Sequence, residues 1–348
     1  MQKIKIEHKF VGEKQPCFII AEAGVNHNGS LGIAKKLIDS AVNAGADAVK
    51  FQTFKAEELT TSNADIAKYA KENIGKKIKQ IDLIKSLELK YNDFKALRKY
   101  CDKKKIIFLS TPHSFDAIDF LEKLVPAYKF GSGDLTNIPS LRYAAKKRKP
   151  IILGTGMSTL KEVKQAVDVI KSQGNKKIVL LHCTTNYPCS LDEVNLNAMK
   201  TLKEKTGCLI GYSDHTKGRL VPIMAVTMGA CIIEKHFTLD KKMKGPDHKA
   251  SMEPDELKQM IADIRDAERA LGSPDKKPTN SEKTTMKLVR KSIVAKKDIK
   301  KGKIITKDML LIKRPGTGLE PVYIDKIIGK KAKCDISKDE ILQKNMVD

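Results

Sequence analysis

The feature that most constrains this chain is a repeating pair of pieces: a short apolar run of strand length, then a longer stretch with helical periodicity. The runs occupy residues 18–24, 48–53, 106–111, 127–132, 150–155, 177–183, 209–214 and 231–237, which makes eight. Amphipathic stretches separate them, among them Leu31 to Ala44, Leu160 to Lys171 and Pro254 to Leu271. Strands joined through helices are parallel and their crossovers right-handed, and eight such units in series close on themselves. An open doubly wound sheet is the competing topology. It carries a glycine-rich phosphate loop after its first strand, and none stands there. The expected fold is therefore α/β, a (β/α)8 TIM barrel, whose strands are buried on both faces and so read as unbroken apolar runs.

A barrel takes ~250 residues, and this chain has 348. The polar, Pro/Gly/Ser-rich stretch from Gly272 to Ser281 marks a boundary. The reading is a barrel over 1–272, a linker over 273–287 and a small β-rich module over 288–348. Within the module, 292–295, 298–302, 304–306 and 327–329 read as short β pieces. At the other end, Ile4, Ile6, His8 and Phe10 alternate as in a strand or hairpin covering the barrel floor. The connection from 54 to 104 is longer than one helix needs, and its polar front half, 55–75, reads as a lid over the mouth.

Bulk properties exclude several classes. The formal net charge of +24 comes mostly from Lys scattered over polar helix faces, with no Arg-rich arm or basic–aromatic motif, so no nucleic-acid role is expected. Seven cysteines, an odd number without a C-x-x-C pair, fit reduced thiols packed in apolar strands. The first residues lack the apolar core of a signal peptide, and no stretch is long enough to span a membrane. A cytoplasmic location is expected.

Polar residues at the C-terminal ends of barrel strands are hard to explain by stability, because active sites of this fold lie at that face. Here nearly every strand ends in them: Glu22, Asn26 and His27; Lys50 and Gln52; Ser110 and Thr111; Lys129, Ser132 and Asp134; Thr155; Thr184 to Tyr187; Ser213 to His215; Glu234 to His236. Lys50 and Lys129 read as a phosphate or carboxylate site with hydroxyls around it, with a Schiff-base lysine as the competing reading. His215 and His236 end adjacent strands and suit a borderline divalent cation such as Mn2+, Zn2+ or Co2+. Asp214 reads as their support or as a helix cap.

These residues stand in a set of motifs that resembles the sialic acid synthases, enolpyruvate-dependent nonulosonic acid synthases with a C-terminal antifreeze-like (SAF) module. The matching stretches are 21–29, 49–53, 129–134, 154–157, 182–188, 211–216, 234–238 and 245–248, with Lys313 to Gly318 in the module. The resemblance covers essentially the whole chain. It implies a TIM barrel with a β-clip SAF domain, and a reaction in which phosphoenolpyruvate, an open-chain N-acylated hexosamine and water give a 2-keto acid and phosphate. It also implies roles. His215 and His236 resemble the metal ligands, with Mn2+ typical and Mg2+ or Co2+ as alternatives. Lys50, Thr111, Lys129, Ser132, Thr185 and Ser213 resemble the enolpyruvate-binding set. Glu22 looks like the catalytic carboxylate, assisted by Asp134. Gln52, Tyr187 and Asp247 resemble amino-sugar contacts. Arg314 resembles a residue reaching the N-acyl group from the partner subunit, which implies a domain-swapped homodimer.

The chain departs from the pattern at His113, where many relatives have Phe, at Gly154, where some have Ser, and at Thr185, which replaces an Asn of some members. The leading expectation is an N-acetylneuraminate synthase acting on N-acetylmannosamine. The alternative acceptor is 2,4-diacetamido-2,4,6-trideoxymannose, which makes a legionaminate synthase. A non-enzymatic carbohydrate- or surface-binding protein is the rival from another class.

Overall fold

The computed structural model describes residues 2–66, 73 and 79–348, in two compact units, Met1–Gly272 and Ser273–Asp348. The first unit opens with an antiparallel hairpin, β1 (Lys3–Ile6) and β2 (Lys9–Gly12), turning at Glu7 with φ of 55°. Ile4, Ile6 and Val11 bury against the lower barrel interior beside Leu209 and Cys231. The expected alternation breaks at the turn: His8 and Phe10 are exposed, and the second strand buries Val11 instead.

Eight strands follow: β3 (Phe18–Gly24), β4 (Ala48–Thr53), β5 (Ile107–Pro112), β6 (Tyr128–Phe130), β7 (Ile151–Gly154), β8 (Ile178–His182), β9 (Leu209–Asp214) and β10 (Ile232–His236). They form one sheet in the order β5-β4-β3-β10-β9-β8-β7-β6, with every ladder parallel. First and last barrel strands pair directly, with Phe18 opposite Ile232, so the sheet curls into a barrel. Its one unladdered seam brings β5 alongside β6.

Side chains alternate along each strand between two apolar clusters. Phe18, Ile20, Ala48, Ile107, Leu109 and Ile232 belong to the inner one. Ile19, Ala21, Val49, Phe108 and Ile233 pack outward with helical residues such as Leu37, Ile38 and Ala41. That double burial is why the runs carry no polar alternation until their last residues.

The helices are set by local signals. Leu31–Ala44 starts where the Ser30 side chain accepts from the Ile33 amide and stops at Gly45, whose φ of 84° suits glycine. Leu160–Ser172 opens with a Thr159/Glu162 capping box, and Pro254–Leu271 has Pro in its first turn. Within the segment expected as a lid, residues 67–72, 74 and 75 lie outside the described residues. Asn73 donates from Nδ2 to the Pro246 carbonyl at 2.6 Å, a contact with the loop that follows β10.

In the second unit, residues Asn280–Val289 form a helix where a linker was expected, started by a Thr279/Glu282 capping box. Strands β11 (Ser292–Ala295) and β12 (Leu310–Lys313) pair antiparallel. Isolated bridges such as Ile299 to Ile336 close a small core around Ile293, Ile305, Leu310 and Leu342. Ile327, expected in a β piece, ends a helical turn, Ile324–Ile327. Among the described residues no helix is long and apolar enough to cross a membrane.

Candidate active site

The inward parity of the barrel strands decides which polar strand ends meet. Counting by twos from the inner apolar cluster reaches Glu22 on β3, Lys50 and Gln52 on β4, Thr111 on β5, Lys129 on β6, Ser213 on β9, and Glu234 and His236 on β10. Lys50 Nζ lies 2.8 Å from Glu22 Oε2 and 3.7 Å from Glu234 Oε2, and donates to Thr111 Oγ1 at 3.1 Å. Lys129 Nζ stands 3.1 Å from Glu234 Oε1, which also accepts from Ser213 Oγ at 2.9 Å. Gln52 Nε2 reaches Glu22 Oε1 at 3.4 Å. The four charged side chains are all at least 95 % buried.

Two carboxylates in one dry cluster end in different states. Burial raises Glu22 to about 7, with the neighbouring Glu234 charge adding to it against the pull of Lys50. Glu234 meets the same burial, but Lys129 and Lys50 outweigh it and hold the group down at about 2. Burial works against the Lys129 ammonium, yet Glu234 and Glu22 raise it above its usual value. The sequence reading gave both lysines to a substrate anion. In the structure each already has a carboxylate partner, so the resting cluster is close to charge-balanced.

The metal expectation rests on His215 and His236, whose ring centres lie 5.7 Å apart, with the Tyr187 ring 4.1 Å from the first and 5.6 Å from the second. His215 Nδ1 is 2.6 Å from the Thr184 carbonyl; as the donor there, it leaves Nε2 with its lone pair. His236 Nδ1 is buried and has no hydrogen-bond partner. Burial, the first cause for both, lowers each imidazole below its ordinary value, and His236 is lowered further by His215 and Lys50. Two neutral imidazoles with an orphaned nitrogen fit a divalent cation. Among the described residues no three His, Cys, Asp or Glu side chains gather as a cage, so a cation held there would need water or substrate oxygens as further ligands.

Hydroxyls fill the β6–β8 side. Ser132 Oγ accepts from the Gly156 amide at 3.0 Å and sits 3.0 Å from Cys183 Sγ. A Cβ on Gly156 would fall 2.3 Å from Thr185 Oγ1 and 2.8 Å from Ser132 Oγ, so only glycine lets these hydroxyls approach the backbone. Asp134 follows β6, and burial raises it to about 6. Asp247, after β10, is also raised to about 6 by burial, and its carbonyl accepts from Ser251 Oγ, which in turn accepts from Asn26. Arg314 lies in the second unit, exposed, directly after β12.

Parity also removes residues from the ring. Asp214 and Lys235 face outward as a buried ion pair, and Ser110 is hydrogen-bonded to Thr53 at 2.7 Å. These strand ends stabilise the wall. Glu234 is the reverse case. It was seen among the polar ends without a role, yet it joins both lysines and Ser213. Its position two residues before His236, on the same face of one strand, was the signal available.

Among the described residues, five buried polar side-chain atoms of Asn26, His27, His113, Thr185 and His236 lack a hydrogen-bond partner, and Oε2 of both Glu22 and Glu234 has only the Lys50 ammonium beside it. Folded proteins satisfy nearly all such atoms. Their concentration at one end of one barrel marks a surface shaped for a polar, charged ligand.

The NeuB family model matches residues 37–276, and the SAF domain model matches residues 290–348. The chain is 48% identical over 331 residues to N,N'-diacetyllegionaminic acid synthase of Legionella pneumophila, covering 94% of this chain and 93% of that protein. It is 37% identical over 344 residues to human N-acetylneuraminate-9-phosphate synthase, covering 98% and 95%. Among solved structures, an N-acetylneuraminic acid synthetase from Leptospira borgpetersenii superposes with a TM-score of 0.74 at 36% identity, covering 82% of this chain and 95% of that one.

Proposed function

The chain belongs to the NeuB family of nonulosonic acid synthases, and we propose that it condenses phosphoenolpyruvate with 2,4-diacetamido-2,4,6-trideoxymannose and water, giving N,N'-diacetyllegionaminate and phosphate. The choice of acceptor is supported by the 48% identity to a legionaminic acid synthase against 37% to the human neuraminate-type enzyme. N-acetylmannosamine, the leading expectation from the sequence, remains the second reading because the fold and core motifs serve both sugars. A binding-only protein has no need for a buried ring in which two lysines face two carboxylates, one pushed up to about 7 and the other held down. That ring is the observation that carries the reading.

In this proposal Lys50, Thr111, Lys129, Ser132, Thr185 and Ser213 hold the phosphate and carboxylate of the enolpyruvate. An anion enters a cluster already neutralised by Glu22 and Glu234, so its binding is favoured by a proton on Glu22, which burial makes available near neutral pH. A divalent cation held by His215 and His236, Mn2+ by the family pattern, supplies positive charge and Lewis acidity toward the sugar aldehyde when bound. C3 of the enolpyruvate attacks the aldehyde carbon, water adds at C2, and the C–O bond to phosphate breaks. The proton that Glu22 carries into the complex goes to the new alkoxide of the sugar, and the proton of the added water takes its place, with Asp134 beside the acceptor. Gln52, Tyr187 and Asp247 hold the sugar, and Arg314 of a partner subunit reaches its N-acyl group in a domain-swapped homodimer.

The test is phosphate release from phosphoenolpyruvate and Mn2+ with each sugar in turn. The expected result is a higher kcat/KM for the diacetamido sugar than for N-acetylmannosamine. Turnover of neither sugar overturns the proposal.

A further inference from the structure

His113 directly follows β5 and continues the inward parity of Ile107, Leu109 and Thr111. Its backbone amide bonds the Thr53 carbonyl at 3.1 Å, and its ring meets Phe54 edge-on with centres 6.1 Å apart. Two contacts thus hold the imidazole in place. Nδ1 faces Asp134 Oδ2 at 3.7 Å. Nε2 is closed off from solvent and has no hydrogen-bond partner. Burial, with Lys50 and Lys129 adding to it, lowers the group to about 4, so the ring is neutral near pH 7. A neutral imidazole that turns its Nδ1 proton toward the Asp134 carboxylate presents a bare lone pair at Nε2.

A lone pair buried without a donor is costly, and a ligand that brings the donor removes the cost. The two lysines whose charge His113 senses form the anion end of the site, and Asp134 stands on its other side. We infer that His113 is a specificity-determining residue of the acceptor subsite: Nε2 accepts a hydrogen bond from one hydroxyl or amide N–H of the sugar, and Asp134 sets the tautomer that makes it an acceptor. The inference rests on the synthase reading above and adds to it a ring whose lone pair a phenylalanine of like shape would lack. The energetics are those of a site that rejects an analogue because the site, and not the analogue, is left with an unpaired polar group.

The experiment compares wild type, His113→Phe and His113→Gln on the full acceptor and on analogues in which each hydroxyl or amide is singly replaced by hydrogen. Phe keeps the aromatic edge against Phe54 and removes the nitrogen. Gln restores an acceptor at similar reach, and thermal melts establish that both variants fold. With wild type, one analogue should lose about 10- to 100-fold in kcat/KM. His113→Phe should lose a similar factor on the full sugar and become indifferent to that one replacement, with KM for phosphoenolpyruvate unchanged. His113→Gln should recover part of the discrimination. A uniform loss across all analogues, no change in any, or an effect on the phosphoenolpyruvate KM alone overturns the inference. If wild type turns over no acceptor, the synthase reading falls and this inference with it; if wild type is active and His113→Phe discriminates as before, only this inference falls.

Discussion

Lys235→Met offers a demanding test of how the barrel wall is held beneath His215 and His236. Lys235 and Asp214 stand opposite each other in the β9–β10 register, one residue before His236 and His215 respectively. Their side chains are 1% and 0% exposed, and the Lys235 ammonium donates to both Asp214 Oδ2 and the Thr216 carbonyl. Asp214 also receives the Thr216 amide and hydroxyl, each at 3.1 Å, and is hydrogen-bonded to the Tyr212 side chain. Met fills the space of the Lys stem, so packing is nearly conserved and the perturbation is electrostatic. It leaves a carboxylate in a dry wall with neutral hydrogen-bond partners and no counter-charge. Breaking a buried pair from one side costs about 3–5 kcal/mol, a large part of a typical folding free energy of about 5–15 kcal/mol. Urea denaturation should show that loss as a lower midpoint at unchanged slope. The Asp214→Asn/Lys235→Met double variant keeps an amide that can still accept from Thr216 and carries no charge, so it should regain most of the loss. A loss below ~1 kcal/mol for the single variant would refute the reasoning, since an unpaired buried charge cannot be that cheap. So would a double variant whose loss equals the sum of the two singles.

Glu22 is raised from 4.5 to about 7 by burial first, so the folded chain binds a proton that the unfolded chain has released between those values. Its contribution to stability is present below pH 4.5 and is lost as pH rises through 7. Glu22→Gln, which mimics the protonated acid, should therefore gain stability relative to wild type as pH rises across that window; urea midpoints with a pH-independent offset would contradict this. His236→Ala should abolish the dependence of phosphate release on added Mn2+, and EDTA should silence wild type but not change what remains of the variant. Activity untouched by both treatments rules out the metal role. In the proposed swapped dimer, mixing the impaired Arg314→Ala and His236→Ala chains under subunit exchange should restore about a quarter of wild-type activity, because half the dimers would be mixed and each would have one intact site of two. No recovery in verified mixed dimers places Arg314 in its own chain's site or outside any site.

Much of the barrel was legible in the sequence because its determinants are local. A helix needs only its apolar period and its caps, which is why Leu31–Ala44 and Pro254–Leu271 coincide with the stretches read by eye. Three strands coincide with their apolar runs, Ile107–Pro112 ends one residue beyond its run, and others end one or two residues inside, as at Tyr128–Phe130, because the ladder and not hydrophobicity sets where pairing stops. The helix at 280–289 was hidden by the Pro/Gly-rich residues before it, although Thr279 and Glu282 already spelled a capping box.

The polar strand ends show where that legibility stops. Each run's polar end could be listed residue by residue, and the motifs around those ends were enough to indicate the family. Which of them share a space is a matter of parity and register summed over eight strands, and no segment carries that information alone. Only the closed barrel makes Glu234 the common partner of Lys50 and Lys129, turns Lys235 and Asp214 away as a buried pair, and brings His113 against Asp134. The chemistry was written along the chain one strand at a time. Its electrostatics exist only where distant side chains are buried together, because burial and charge, acting over a few ångströms, set the proton affinity of each.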